Sequence, residues 1–296
     1  MTDKAGILGA RASERGVGWY VYAVLPWSME VAVTAGIEEG RPSVFIPDGP
    51  IMAVASPVSL AVFDSEPLWR HMGDPRWLAE KVYRHEAVVE AMMARGPVLP
   101  MKFCTIFRSR DAVRRMLREH APRFHEGLEF VRDKEEWGVK GFAHRGCLKE
   151  AALRRDPELR QMAEQLAVSA RNRPGSAFLL KRRMDDLAEQ RRIEREAELI
   201  REAVEALRGS VVQLTSNPPL RGQRGDKGAP GSTVGGHTGE EVVLNLACLV
   251  LRQGVQTFLA EVQRWNEARA DQGLCLEASG PWPPYNFSPR LGNHAR

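Results

Sequence analysis

The sequence predicts an α+β protein in two domains, and three observations carry that expectation. Strand-like and helix-like segments intermix within each half without repeated βαβ units. The chain has 296 residues, 43% hydrophobic and 27% charged, a composition and length that suffice for two packed cores. From about Leu148 the composition shifts toward Arg, Glu and Ala and includes one helical run longer than any other. The expected layout is a disordered leader over 1–17, an N-terminal α+β domain over 18–145 and a C-terminal α+β domain over 146–280 with a flexible insertion at 217–239, followed by a Pro/aromatic strap over 281–296.

In the first half, Trp19-Tyr20-Val21-Tyr22-Ala23-Val24-Leu25 is aromatic and β-branched and closes on Pro26, which predicts a buried strand. Ser43 to Pro47 and Ile51 to Ser56 are short β-prone runs around Pro47-Asp48-Gly49-Pro50, so a hairpin is expected. Asp74-Pro75 has the form of a cap followed by a first-turn proline. Leu78, Val82, His85, Val89 and Met92 then mark one face of a helix ending near Gly96. Pro97 to Phe107 is apolar and β-prone. Ser109-Arg110-Asp111 opens a helix carrying Val113, Met116 and Leu117, and Phe124 to Val131 forms another. Trp137 to Phe142 alternates as a half-buried strand and is expected to close the first domain.

In the second half, Ser176 to Leu207 is the long helix. Seven basic and seven acidic side chains between Lys181 and Glu202 balance one another, as on a solvated face laced with i,i+4 pairs. Ile193, Ala197, Ile200, Val204 and Leu207 describe a coiled-coil-like seam of about two heptads. Val211 to Thr215 and Val242 to Leu251 read as strands, Gln253 to Ala270 as an amphipathic helix, and Leu274 to Ala278 as a further strand.

Charge and cysteine usage narrow the function classes. Lys and Arg number 42 against 38 Asp and Glu, and the two signs are interleaved, so a nucleic-acid role rests only on a pI near 9.0. Cys104, Cys147, Cys248 and Cys275 are widely spaced and are expected to be reduced thiols, mostly buried. The first 18 residues contain no apolar secretory run and no stretch is long enough to span a bilayer, so a cytoplasmic protein without a membrane partner is expected.

Catalytic motifs are tested and mostly fail. Gly222 to Gly228 offers glycines and Lys227, but Gly follows the Lys and no helix is opened, so it is not a phosphate-binding P-loop. His85, Glu86 and Glu90 share a helix, yet Val82 stands where the helical di-metal Glu-x-x-His spacing needs Glu, and His85 lies on the apolar stripe. A hydrogen-bonded core histidine is the expected outcome, with no cofactor and no metal. Two alternatives stay open: an enzyme using His85 and Glu86 or the Lys227 loop, and a basic nucleic-acid binder.

One segment stands apart. Ser279-Gly280-Pro281-Trp282-Pro283-Pro284-Tyr285-Asn286-Phe287 holds three prolines, which fix φ and lack N–H groups, so it is expected to leave the sheet as an extended strap. Trp282, Tyr285 and Phe287 are the candidates for pinning it back. This segment resembles the C-terminal GPWPPYSF signature of the gas vesicle protein F/L family, with Asn286 where Ser is usual. In order along the chain, Trp19 to Tyr22, the His85-Glu86 helix with Gly96 to Phe103, Glu136-Trp137-Gly138-Val139-Lys140, Gly175 to Lys181 and Val243 to Val250 resemble the family's other blocks. Cys104-Thr105 stands where Gly-Thr is common.

The resemblance implies two α+β domains, the second a modified ferredoxin-like fold with a long helix. It also implies a non-enzymatic accessory role in gas vesicle formation, with the major shell protein and other accessory proteins as partners and gas vesicle association as location. The candidate interaction or motif residues are Gly280, Pro281, Trp282, Pro283, Pro284, Tyr285, Phe287, His85, Glu86, Trp137 and Gly138. Candidate contact surfaces are the strap, Pro97 to Phe107 and the seam of the long helix.

Overall fold

The computed structural model describes residues 16–172, 174–219 and 240–289. The expected leader (except for its last two residues), most of the 217–239 insertion and the Lys227 loop lie outside them. The chain divides into two compact units, one of Met1–Glu135 together with Trp282–Arg296, the other of Glu136–Pro281.

The first unit is organised around β1 (Val17–Pro26). This strand pairs antiparallel with β3 (Ile51–Ser59) along its whole length, and β3 pairs in turn with β2 (Val44–Asp48) through the expected hairpin. On its other side β1 meets two short strands, β4 (Leu99–Pro100) and β5 (Ile106–Phe107). Flanked on both edges, β1 is buried continuously from Tyr20 to Leu25, which explains its unbroken aromatic and β-branched composition.

Helices α1 (Leu60–Phe63), α2 (Ser65–Met72) and α3 (Pro75–Met93) follow β3. The Asp74 side chain accepts the Arg76 N–H and Pro75 occupies the first turn, the cap that the sequence shows. The buried stripe of α3 is His85, Val88, Val89 and Met92, whereas Val82 points outward. Helix α4 (Arg110–Glu119) starts with Ser109 accepting the Ala112 N–H and buries Val113, Met116 and Leu117. Each such burial is worth about 1.5–3 kcal/mol. Helix α5 (Ala121–Val131) completes this unit; its Gly127 lies where a Cβ would meet Pro289 at 2.9 Å and Leu99 at 3.1 Å.

Pro97 to Phe107 departs from expectation. Only β4 and β5 are strand, because Pro100 lacks an N–H and the chain turns between them, with Thr105 N–H bonded to the Lys102 carbonyl. Cys104 takes a left-handed φ of 62° there, a conformation that suits glycine.

The second unit runs β6 (Lys134–His144), α6 (Arg145–Arg155), α7 (Pro157–Asn172), α8 (Pro174–Arg208), β7 (Gln213–Ser216), β8 (Glu240–Leu251), α9 (Val255–Ala268) and β9 (Leu274–Trp282). The sheet order is β7-β8-β6-β9. Strand β6, expected to close the first domain, is therefore an inner strand of the second sheet. Val139, Leu199, Leu207, Leu246, Phe258 and Trp265 belong to one core cluster.

The seam expected on α8 is rotated in its first half. Ile193 and Ala197 are exposed, and the buried positions among the described residues are Ala177, Ala188, Arg192, Leu199, Ala203 and Leu207. The helix packs on α6, α7 and α9 of its own unit, and alanines at 188 and 203 give the close approach that larger side chains deny. Arg192 is buried with Glu189 at 2.9 Å and Glu196 at 2.7 Å, so the charged face is partly interior. The cysteines also differ from expectation: Cys248 is buried, Cys104 half-buried, and Cys147 and Cys275 exposed. Of the two exposed thiols, one sits near the start of α6 and the other at an outward position of β9, between buried Leu274 and Leu276.

Candidate functional site

The motif residues gather at two places, one in each unit. In the second unit, Gly280 on β9 has φ 148°, and a Cβ there would meet the Glu136 carbonyl at 3.1 Å and the Trp137 ring at 3.1 Å. Only glycine fits, because the left-handed backbone and the ring both exclude a side chain. The Trp137 ring packs in turn against Phe258 at 6.2 Å between centroids, and Gly138 is half-buried beside it. The Gly280 end of the strap motif and the Trp137-Gly138 motif are thus one packing arrangement.

The strap does not leave the sheet where the prolines predict. Strand β9 continues through Gly280-Pro281 to Trp282. Beyond it the chain turns rather than extends, with Tyr285 N–H bonded to the Pro283 carbonyl and Phe287 N–H to that of Pro284. An edge strand tolerates proline because half of its N–H groups face away from the ladder. Pro283, Pro284 and Phe287 are buried, while Trp282 is 41% exposed.

In the first unit, the turn brings Tyr285 to His85 and Glu86, 200 residues away in sequence. His85 Nε2 lies 2.9 Å from Tyr285 Oη, which donates to Glu86 Oε1 at 2.8 Å. On the other side of the ring, Tyr20 Oη lies 2.9 Å from His85 Nδ1 and accepts the Cys104 N–H at 3.0 Å. The donors assign themselves along this chain. Because Tyr285 donates to the carboxylate, its oxygen accepts from His85 Nε2–H, leaving Nδ1 to accept from Tyr20. The neutral Nε2–H tautomer satisfies both ring nitrogens along this chain, and the ring also bonds the Met101 backbone.

Electrostatics agree with that assignment. Burial lowers the His85 pKa from 6.5 to about 4, and it raises that of Glu86 despite the Tyr285 hydrogen bond. Tyr22 runs beside this chain, accepting the Ile37 N–H at 2.6 Å and bonded to Ser56 Oγ at 2.6 Å, and burial pushes its phenol up to about 12. The His85 ring stacks on Tyr285 and sits edge-on to Phe103 and Tyr20. A general base needs a nitrogen open to a substrate, and His85 presents none. Among the described residues no group of three or more His, Cys, Asp or Glu side chains is arranged to hold a metal ion.

Sequence reasoning missed Tyr20 as the partner of His85 and the backbone N–H of Cys104 as the partner of Tyr20. The signal was present, in that a buried strand beginning Trp-Tyr-Val-Tyr must find partners for two hydroxyls.

This ordered series of motifs matches the family model described as gas vesicle synthesis protein GvpL/GvpF over residues 18–289. The chain belongs to the GvpL/GvpF family. It is 29% identical to gas vesicle protein L of Streptomyces sp. (strain CB03234) over 91% of this chain and 92% of that one. With gas vesicle protein L of Haloferax mediterranei it shares 27% identity over 91% of this chain and 76% of the other. Among solved structures, gas vesicle protein GvpF from Anabaena sp. PCC7120 superposes with a TM-score of 0.68 at 15% identity, covering 93% of this chain and 99% of that one. GvpF from Microcystis aeruginosa gives 0.60 at 18% identity, covering 91% and 98%. The last two show a shared fold. Membership of the family makes this a gas vesicle protein with an accessory role in vesicle formation. Among the described residues no helix is long and apolar enough to cross a membrane.

Proposed function

We propose that this GvpL/GvpF family member acts by binding, holding the major shell protein and other accessory proteins during gas vesicle assembly, in the cytoplasm and at the growing vesicle. It does so without a catalytic step, a cofactor or a nucleic-acid partner. The observation that carries this reading is that the cluster joining His85, Glu86 and Tyr285 is consumed internally. It closes the first unit and leaves no nitrogen to act on a substrate.

Surface supports the same reading. On α2 and α3, which pack together, Trp69 is 79% exposed and Tyr83 67%, with Met72 and Val82 also outward. Large apolar side chains kept in water on neighbouring helices mark a contact surface. Of the surfaces expected from sequence, Pro97–Phe107 is mostly covered and the described part of the strap turns Pro283, Pro284 and Phe287 inward, so we take α2 and α3 as the site for an apolar shell subunit. The second unit reads as a ferredoxin-like fold. Its β6-helices-β7-β8-α9-β9 succession and β7-β8-β6-β9 order support this, with three helices filling the first crossover.

The test is co-expression of the chain with the major shell protein in a host without gas vesicles, followed by co-purification at low and high salt. A complex that survives high salt and is lost in Trp69→Asp/Tyr83→Asp supports the proposal. No complex at either salt, with the fold intact, overturns direct shell binding. An undiminished complex in the double variant overturns the assignment of the surface.

A further inference from the structure

One side chain of the second unit imitates a β-strand. Strand β9 ends the order β7-β8-β6-β9, so among the described residues one of its edges has no strand beside it. The Gly273 carbonyl, just before β9, accepts the His144 N–H of β6 at 2.8 Å and so faces that strand. Backbone groups alternate in direction along an extended chain, and the N–H and C=O of Leu276 therefore point the other way, toward the open edge. Both are taken by one residue. Asn266 on α9 accepts the Leu276 N–H through Oδ1 at 2.8 Å and donates from Nδ2 to the Leu276 carbonyl, also at 2.8 Å. An antiparallel neighbour would bring one N–H and one C=O to the same two groups, and the primary amide of asparagine carries that pair of functions on a side chain.

The packing holds this amide in place. Val262 and Trp265 of α9 and Leu276 of β9 are buried in one core cluster, so the helix turn that carries Asn266 is fixed against the strand it bonds. The other edge of the sheet needs no such device, because β7 has four residues against nine in β9 and a short strand offers little to pair with. We infer that Asn266 is an edge guard. It occupies the place of a pairing strand at Leu276 and keeps β9 from adding β9 of a second copy. That is the strand to be excluded, since antiparallel pairing of one edge with itself about a two-fold axis needs no second sequence and every copy carries both halves. The guard belongs to the second unit and is independent of the shell-binding surface proposed on the first.

The test is Asn266→Ala in the full chain, read by hydrogen exchange at the Leu276 amide and by sedimentation velocity over a micromolar concentration series. At the lowest concentration that amide is expected to exchange roughly tenfold faster than in the wild type, because its acceptor is gone. As concentration rises, the variant is expected to self-associate roughly tenfold more tightly than the wild type and to regain protection at Leu276, as the second copy's strand replaces the amide. Asn266→Asp keeps the acceptor and loses only the donor, so it is expected to fall between the two on both readouts; it decides the question in the same way if Asn266→Ala does not fold. Unchanged exchange at Leu276 overturns the inference, because Asn266 then does not hold the edge. Faster exchange with no gain in association at any concentration also overturns it, leaving Asn266 as a structural contact. So does association that leaves Leu276 unprotected, since the copies then meet elsewhere.

Discussion

The two units stabilise buried polar side chains in opposite ways. In the first, Tyr20, His85, Tyr285 and Glu86 form a single file of hydrogen bonds through a neutral imidazole. In the second, Arg191 reaches Asp156 at 2.8 Å, Arg195 reaches Glu202 at 2.9 Å, and Arg269 reaches the same glutamate at 2.8 Å, so helices are tied by charges that remain partly wet. Arg269 also lies over the Trp265 ring at 5.0 Å. A neutral file depends on the protonation of its imidazole and is indifferent to salt. An ionic lattice is weakened by salt, and by acid only below the ordinary carboxylate range, since despite burial its arginines hold Asp156 and Glu202 low. Mild acid, above the range in which those carboxylates take up protons, should thus bear on the His85 file first, and salt on the ionic lattice first.

Acid should separate them most. The folded pKa of His85 is depressed to about 4, so the stability it contributes is whole above its unfolded value of 6.5 and is lost as pH falls through about 4. That loss amounts to about 3 kcal/mol. Glu86 works against it, because its folded pKa is raised. Its contribution is whole at low pH and declines as pH rises above the ordinary carboxylate range. Urea unfolding of the first unit should therefore weaken on acidification, more steeply in Glu86→Gln and less in His85→Gln. A parallel response in both variants would break the comparison.

Next in size, Tyr285→Phe leaves His85 Nε2–H and the Glu86 carboxylate without their shared partner. It should cost about 2 kcal/mol, unaffected by added salt. Arg192→Met should cost about 1 kcal/mol, since Glu189 and Glu196 regain water once the arginine is gone. Raising salt to about 1 M should weaken the second unit by a similar or smaller amount and leave the His85 file of the first unaffected. The smallest effect is expected at Cys104. Replacing it by glycine relieves the left-handed backbone and should change melting by under about 1 kcal/mol, in the stabilising direction, whereas Cys104→Val should destabilise.

What sequence reveals here follows from range. The caps at Asp74 and Ser109, the hairpin at Gly49 and the buried run of β1 depend on neighbours in the chain, and each is legible there. His85 on an apolar stripe already implied a satisfied core histidine. Its satisfying partner, Tyr285, is 200 residues distant, and no periodicity could join them. The α8 seam misled for a related reason. A 3.5-residue pattern gives a face but not its partner, and short alanines on an adjacent face won the packing. The strap misled because prolines that forbid a central strand are compatible with an edge. Nothing local distinguished the two.

The place of Tyr285 in the chain also sets an order of events during synthesis. Residues 16–135 emerge from the ribosome first, yet the hydroxyl that completes the His85 file is made only after all of 136–281. The second unit holds all of its own strands before that point and is free to finish first, while the earlier-made one waits with His85 Nε2 unanswered. A nascent chain halted short of residue 285 therefore carries an unlatched first unit. Closure of that unit reports that translation has passed the signature near its end.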